Sequence, residues 1–95
     1  MEINLGGFFM HGDFRYNLIR FNLLIKGEKE ALKVEELEDF FKGKAIEDVS
    51  GEEIKTQLEH LTMENFLEKI SEAEYRITDK GKKEIEEVKK AIEKL

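Results

Sequence analysis

The sequence predicts a mainly helical α+β domain, in which four helices accompany one small β-hairpin, and three observations lead there. Ser50 is followed three residues later by Glu53, the capping-box pair that satisfies two otherwise unpaired backbone N–H groups at a helix start. Tyr75 and Ile77 alternate with Arg76, the period-two pattern of a half-buried strand, and residues 71–73 separate them from the apolar run 66–70. Thr78 precedes a stretch whose apolar residues Ile85, Val88, Ile92 and Leu95 are spaced three, four and three apart, as on one side of a helix.

The remaining elements follow in chain order. Residues 1–12 hold Ile3, Leu5, Phe8, Phe9 and Met10 around Gly6 and Gly7 with no clear period, which reads as an extended arm. Asp13 can cap a helix over 13–25 that sets Phe14, Leu18, Phe21, Leu24 and Ile25 on one broad face. Gly27 follows at the expected C-terminal position. Residues 31–34 are long enough for a single edge strand, and 35–42 for a short helix with Leu37, Phe40 and Phe41 inward, ended by Gly43. In the connector 44–49, Ala45, Ile46 and Val49 suggest partial burial. The helix opened by Ser50 turns Ile54, Leu58 and Leu61 to the core and stops at Asn65, a residue that tolerates the left-handed conformation. Strands over 66–70 and 74–78 then lead to the last helix, capped by Thr78.

Composition bounds the function. Ninety-five residues form one domain with a modest core. Cysteine is absent, which excludes disulfides and thiolate metal sites, and His11 and His60 stand far apart, so no metal or cofactor is expected. No apolar run reaches the ~20 residues of a membrane span, and a soluble cytoplasmic protein is the expectation. No phosphate-binding glycine loop occurs, and neighbouring acids such as Glu52 and Glu53 point apart on a helix, so an enzyme is not expected. Glu and Lys dominate the charges and Gln57 is the sole glutamine, a thermophile-like balance. The net charge of −6 is uneven: residues 1–33 sum to +1 (5 − 4), 34–78 to −8 (5 − 13) and 79–95 to +1 (6 − 5). An acidic middle argues against strong sequence-independent DNA binding, which phosphate contacts would have to supply.

The order helix, short strand, helix, helix, hairpin, long helix resembles the winged helix-turn-helix transcription regulators of the MarR, ArsR and PadR kind. The segments "LEHLTMENFLEK" (58–69) and "YRITDKGKKEIEE" (75–87) carry the likeness, with a leucine-rich helix entering an apolar strand and a Tyr-Arg-aliphatic-Thr-x-x-Gly signature. The resemblance implies a winged helix-turn-helix with an additional C-terminal helix. An arm over 1–12 would precede the winged-helix domain over 13–78 and a dimerisation helix over 79–95. With Ile54, Leu58 and Leu61 inward, ~100° per residue turns Glu52, Thr56, Glu59, His60 and Met63 outward, with Lys55 on a flank. The expected partner is double-stranded DNA, met by Lys55, Thr56, Glu59 and His60 of the recognition helix and by Lys69 and Arg76 of the wing. Ile85, Val88, Ile92 and Leu95 either pack back on the domain or pair with a second copy, and the resemblance favours a homodimer. The alternative is an acidic winged-helix module that docks a protein partner and binds no DNA.

Overall fold

The computed structural model describes residues 14–44, 46 and 48–94, apart from the side chains of Phe14 and Ile92. The expected arm over 1–12, the Asp13 cap and Leu95 lie outside the described residues. Helix α1 (Phe14–Lys29) runs four residues beyond the expected end at Ile25. Gly27 does not stop it, because this glycine is buried on the helix, where an added Cβ would stand 3.5 Å from Leu32 and 3.7 Å from Ile77. Those are ordinary van der Waals distances, and α1 simply continues through the glycine without a chain reversal. Lys26 and Lys29 in the last turn suit the negative end of the helix dipole.

Strand β1 (Leu32–Lys33) feeds directly into α2 (Val34–Lys42). Lys33 offers no side-chain cap; instead the Val34 N–H donates to the Ala73 carbonyl at 2.9 Å, so the hairpin turn satisfies a first-turn donor of α2. Helix α3 (Gly51–Met63) opens with the complete capping box: the Glu53 N–H donates to Ser50 Oγ and the Ser50 N–H to Glu53 Oε1, both at 3.1 Å. Its end is a Schellman motif. Asn65 takes φ 67°, the Asn65 N–H donates to the Thr62 carbonyl at 3.0 Å and the Phe66 N–H to the Leu61 carbonyl at 2.9 Å.

Strands β2 (Leu67–Ser71) and β3 (Glu74–Ile77) form the hairpin, with Glu72 and Ala73 in its turn. The sheet has three antiparallel strands in the order β1-β3-β2, so the expected edge strand completes it. Leu67 lies opposite Ile77 and Lys69 opposite Tyr75, while a bulge at Ile70 shifts the register before Ser71 meets Glu74. Such a bulge twists the exposed edge near the tip.

Helix α4 (Asp79–Glu93) begins at a tight junction. Thr78 Oγ1 accepts from the Gly81 N–H at 3.0 Å and donates to the Asn65 carbonyl at 2.6 Å, while the Thr78 N–H donates to the Phe66 carbonyl at 3.0 Å. One threonine therefore caps α4 and ties it to the end of α3. Gly81 is required there, because a Cβ would fall inside contact distance of the Phe66 carbonyl oxygen and 2.7 Å from Ile77 Cγ1. The core gathers Leu23 and Leu24 of α1, Leu37 and Phe41 of α2, the Ile54, Leu58 and Leu61 stripe of α3, and Leu67 and Tyr75 of the sheet.

The architecture is a winged helix-turn-helix with an additional C-terminal helix. That helix packs on α1, and its expected dimerisation stripe is partly spent on this contact. Ile85 is fully covered and Val88 is 9% exposed within the single chain, so these positions have little surface to give a second copy. The Ile92 side chain and Leu95 lie outside the described residues.

Candidate nucleic-acid interface

Helix α3 divides into an apolar stripe, a polar flank turned to α1, and an outward face. Ile54, Leu58 and Leu61 form the first, each 2% exposed or less. Glu53, Gln57, His60 and Glu64, spaced four, three and four apart, form the second, since that spacing keeps residues on one side of a helix. Arg15 clamps Glu53 with its Nε and one terminal nitrogen, both at 2.9 Å, and that terminal nitrogen also donates to the Asp48 carbonyl at 2.8 Å. The Gln57 amide donates to the Tyr16 carbonyl at 3.4 Å. The Tyr16 hydroxyl stands 2.8 Å from His60 Nδ1. Arg20 grips Glu64 at 2.6 and 2.8 Å while lying over the Phe66 ring.

These contacts fix the roll of α3 against α1. They also set the charge on Glu53, whose carboxyl is held at about 2, from the ordinary 4.5, first by the Arg15 hydrogen bond and then by the Ser50 N–H. Sequence reasoning missed Arg15, Tyr16 and Arg20 as positioning residues. The four-three-four spacing of polar residues on α3 was the available signal.

His60 is the site residue that the structure moves. It lies about 60° from the outward pole at 100° per residue, on the flank that α1 covers, and is half-buried against Tyr16. It is committed within the fold and does not present itself with Thr56. Lys69 is also engaged: its ammonium pairs with Glu72 at 3.0 Å. That contact is the main cause raising Lys69 above the ordinary lysine value, and the Glu59 charge adds to it. Helix α3 packs against strand β2.

Lys55, Thr56 and Glu59 are exposed on α3 and, among the described residues, without a side-chain hydrogen bond or ion pair. Arg76 is exposed on β3, opposite Glu68 of β2. Glu52, Glu68 and Glu72 are exposed as well. Two large hydrophobic residues are also exposed, Met63 at 79% and Ile70 at 44%. Lys80, at the start of α4, lies over the Phe66 ring rather than free of the fold.

A groove of about 260 Å³ runs between α1 and the first half of α3, lined by Tyr16, Ile19, Ser50, Glu52, Glu53, Thr56 and Gln57. Among the described residues no three His, Cys, Asp or Glu side chains gather to hold a metal ion, and no helix is long and apolar enough to cross a membrane. No protein-family model, curated protein or solved structure matches this chain.

Proposed function

We propose that this protein binds duplex DNA as a small winged-helix transcription regulator, akin to the MarR, ArsR and PadR kind, with α3 in the major groove and the hairpin as its wing. One observation carries the reading. The polar groups on the covered flank of α3 hydrogen-bond to α1, while Lys55, Thr56 and Glu59 on the exposed side make no side-chain hydrogen bond or ion pair among the described residues. A helix positioned this firmly, with uncommitted donors and acceptors outward, is suited to base-edge contact.

The roles follow from the chemistry of each group. Thr56 bonds a base edge, Glu59 accepts from a cytosine N4 amine, and Lys55 and Arg76 reach flanking phosphates. Lys69 joins them by exchanging Glu72 for a phosphate. His60 acts through Tyr16 as a positioning residue and does not read bases. With about three phosphate contacts, the log–log salt slope is expected near −2 to −3. Binding is then selective and weak at moderate salt, because exposed carboxylates repel the backbone.

A second reading rests on Met63 and Ile70, two large exposed hydrophobics, and on the acidic balance of residues 34–78. An acidic surface with two apolar anchors also fits a basic protein partner. Fluorescence anisotropy with mixed duplexes, including the protein's own promoter region, separates the two readings. Salt-sensitive binding that is lost with Lys55→Glu supports the DNA reading. No binding to any duplex at low salt overturns it in favour of the protein partner.

A further inference from the structure

We propose that the outward side of α4 is a second docking surface for duplex nucleic acid, held through the phosphate backbone without regard to sequence. Gly81, Ile85 and Val88 form the buried side of this helix. At ~100° per residue the opposite side carries Lys80, Lys83, Glu87, Lys90 and Lys94, and all five are exposed. This row sums to +3 (4 − 1). The other charges of the helix, Lys82 and Lys89 against Asp79, Glu84, Glu86 and Glu93, sum to −2 (2 − 4). A segment that is nearly neutral as a whole therefore presents a basic face.

Two observations separate this face from an ordinary solvated one. Surface lysines elsewhere in the chain pair with acids three or four residues away: Lys26 with Glu30, Lys42 with Asp39 and Lys69 with Glu72. On α4, Lys83 has Glu87 and Lys90 has Glu86 at that spacing, yet among the described residues neither pair forms. The lysines also crowd the unfavourable end of the helix. Lys80, Lys82 and Lys83 follow Asp79, the one acid of the first turn, where the helix dipole favours anions over cations. That arrangement weakens the free helix and becomes favourable when an anion lies over the face.

The chemistry of the face selects the partner. Ile85 and Val88 are taken up by the chain's own core, which leaves this side without an apolar surface to sink into lipid. The row holds no aromatic or amide side chain to stack on a base or read its edge. What it offers is point charges on a rigid line. Lys80 to Lys94 span ~21 Å at about 1.5 Å per residue, the axial length of about six nucleotides of one strand at roughly 3.4 Å each. The row shares no residue with the exposed side of α3; the inference takes its partner from the DNA reading but does not need α3 in a groove.

Fluorescence anisotropy of the full-length protein with a mixed-sequence duplex, across a salt series, compares two double variants. Lys83→Gln with Lys90→Gln falls in the row, and Lys82→Gln with Lys89→Gln removes equal charge from the flank of the same helix. All four positions are exposed and Gln is a good helix former, so both variants are expected to fold, which circular dichroism checks. The row variant should bind roughly ten-fold more weakly and flatten the log–log salt slope by about 2. The flank variant should show less than half of either effect. Lys55→Glu separates this surface from α3: loss of binding there with none in the row variant leaves the α3 reading and overturns this one, and the reverse leaves this one alone. Equal effects in the row and flank variants, or no duplex binding at low salt, also overturn it. So does equally row-dependent binding to vesicles of phosphatidylserine and phosphatidylcholine, which would assign the face to an anionic membrane.

Discussion

The two sides of α3 are built from similar residue types and behave differently. On the flank facing α1, Glu53, His60 and Glu64 each meet a partner from α1 within 2.9 Å. On the outward side, Glu52, Thr56 and Glu59 are just as polar and have no such partner among the described residues. Composition does not separate the sides; the position of α1 does. A carboxylate on the covered flank orients the helix, whereas one on the outward side is available to whatever the protein meets.

Removing apolar support from the covered half should have the largest effect. Leu58 is 1% exposed at the centre of the core, and Leu58→Ala is expected to cost about 2–5 kcal/mol through lost burial and the cavity left behind. Chemical denaturation measures this directly. A cost below about 1 kcal/mol, the scale of a single surface contact, would mean that α3 is held mainly by its polar flank, and the contrast drawn between the sides would need redrawing.

The Arg15–Glu53 clamp gives a smaller effect with a defined pH signature. The Glu53 carboxyl is held at about 2 when folded against an ordinary 4.5. A depressed folded pKa stabilises the protein above the unfolded value, and that contribution fades as pH falls from about 4.5 towards 2. Both side chains are 39% exposed, so solvent screening limits the contribution to about 1 kcal/mol or less. Stability compared between pH 5.5 and pH 2.5 should fall less in Glu53→Gln than in the parent. Equal pH dependence in the two proteins would show the clamp to be energetically silent.

Local chemistry explains what was legible in the sequence. The Ser50–Glu53 box, the left-handed Asn65 and the Thr78–Gly81 junction each act within three residues or at one position, and all three stand in the structure. The apolar stripe of α3 was legible for the same reason, since helical period alone places Ile54, Leu58 and Leu61 together. His60 was not, because its partner Tyr16 lies 44 residues away, and only tertiary packing decides which flank α1 covers. Gly27 misled in the same way: a glycine near a helix end reads as a stop, while here the helix runs on through it, buried against Leu32 and Ile77. The stripe at Ile85 and Val88 left two destinations open, and the chain's own core takes both residues.

Substitutions on the outward side should change stability least and recognition most. Thr56→Ala and Glu59→Gln remove no contact within the fold among the described residues, and Ala and Gln are good helix formers. Their effect on unfolding free energy is therefore expected to stay within about ±0.5 kcal/mol. On the DNA reading, Glu59→Gln should relax the preference for cytosine at one base-pair position by up to about 1–3 kcal/mol, because a carboxylate that only accepts is replaced by an amide that also donates. It should also raise affinity for unrelated duplexes, since one repulsive charge is removed from the groove. Anisotropy with a set of singly substituted duplexes, run beside the unfolding curves, reads both quantities. Unchanged base preference with raised general affinity would leave Glu59 as a repulsive charge only. A stability loss above about 1 kcal/mol, outside the range for surface positions without partners, would place Glu59 among the residues that hold α3, and the two sides of the helix would no longer differ in kind.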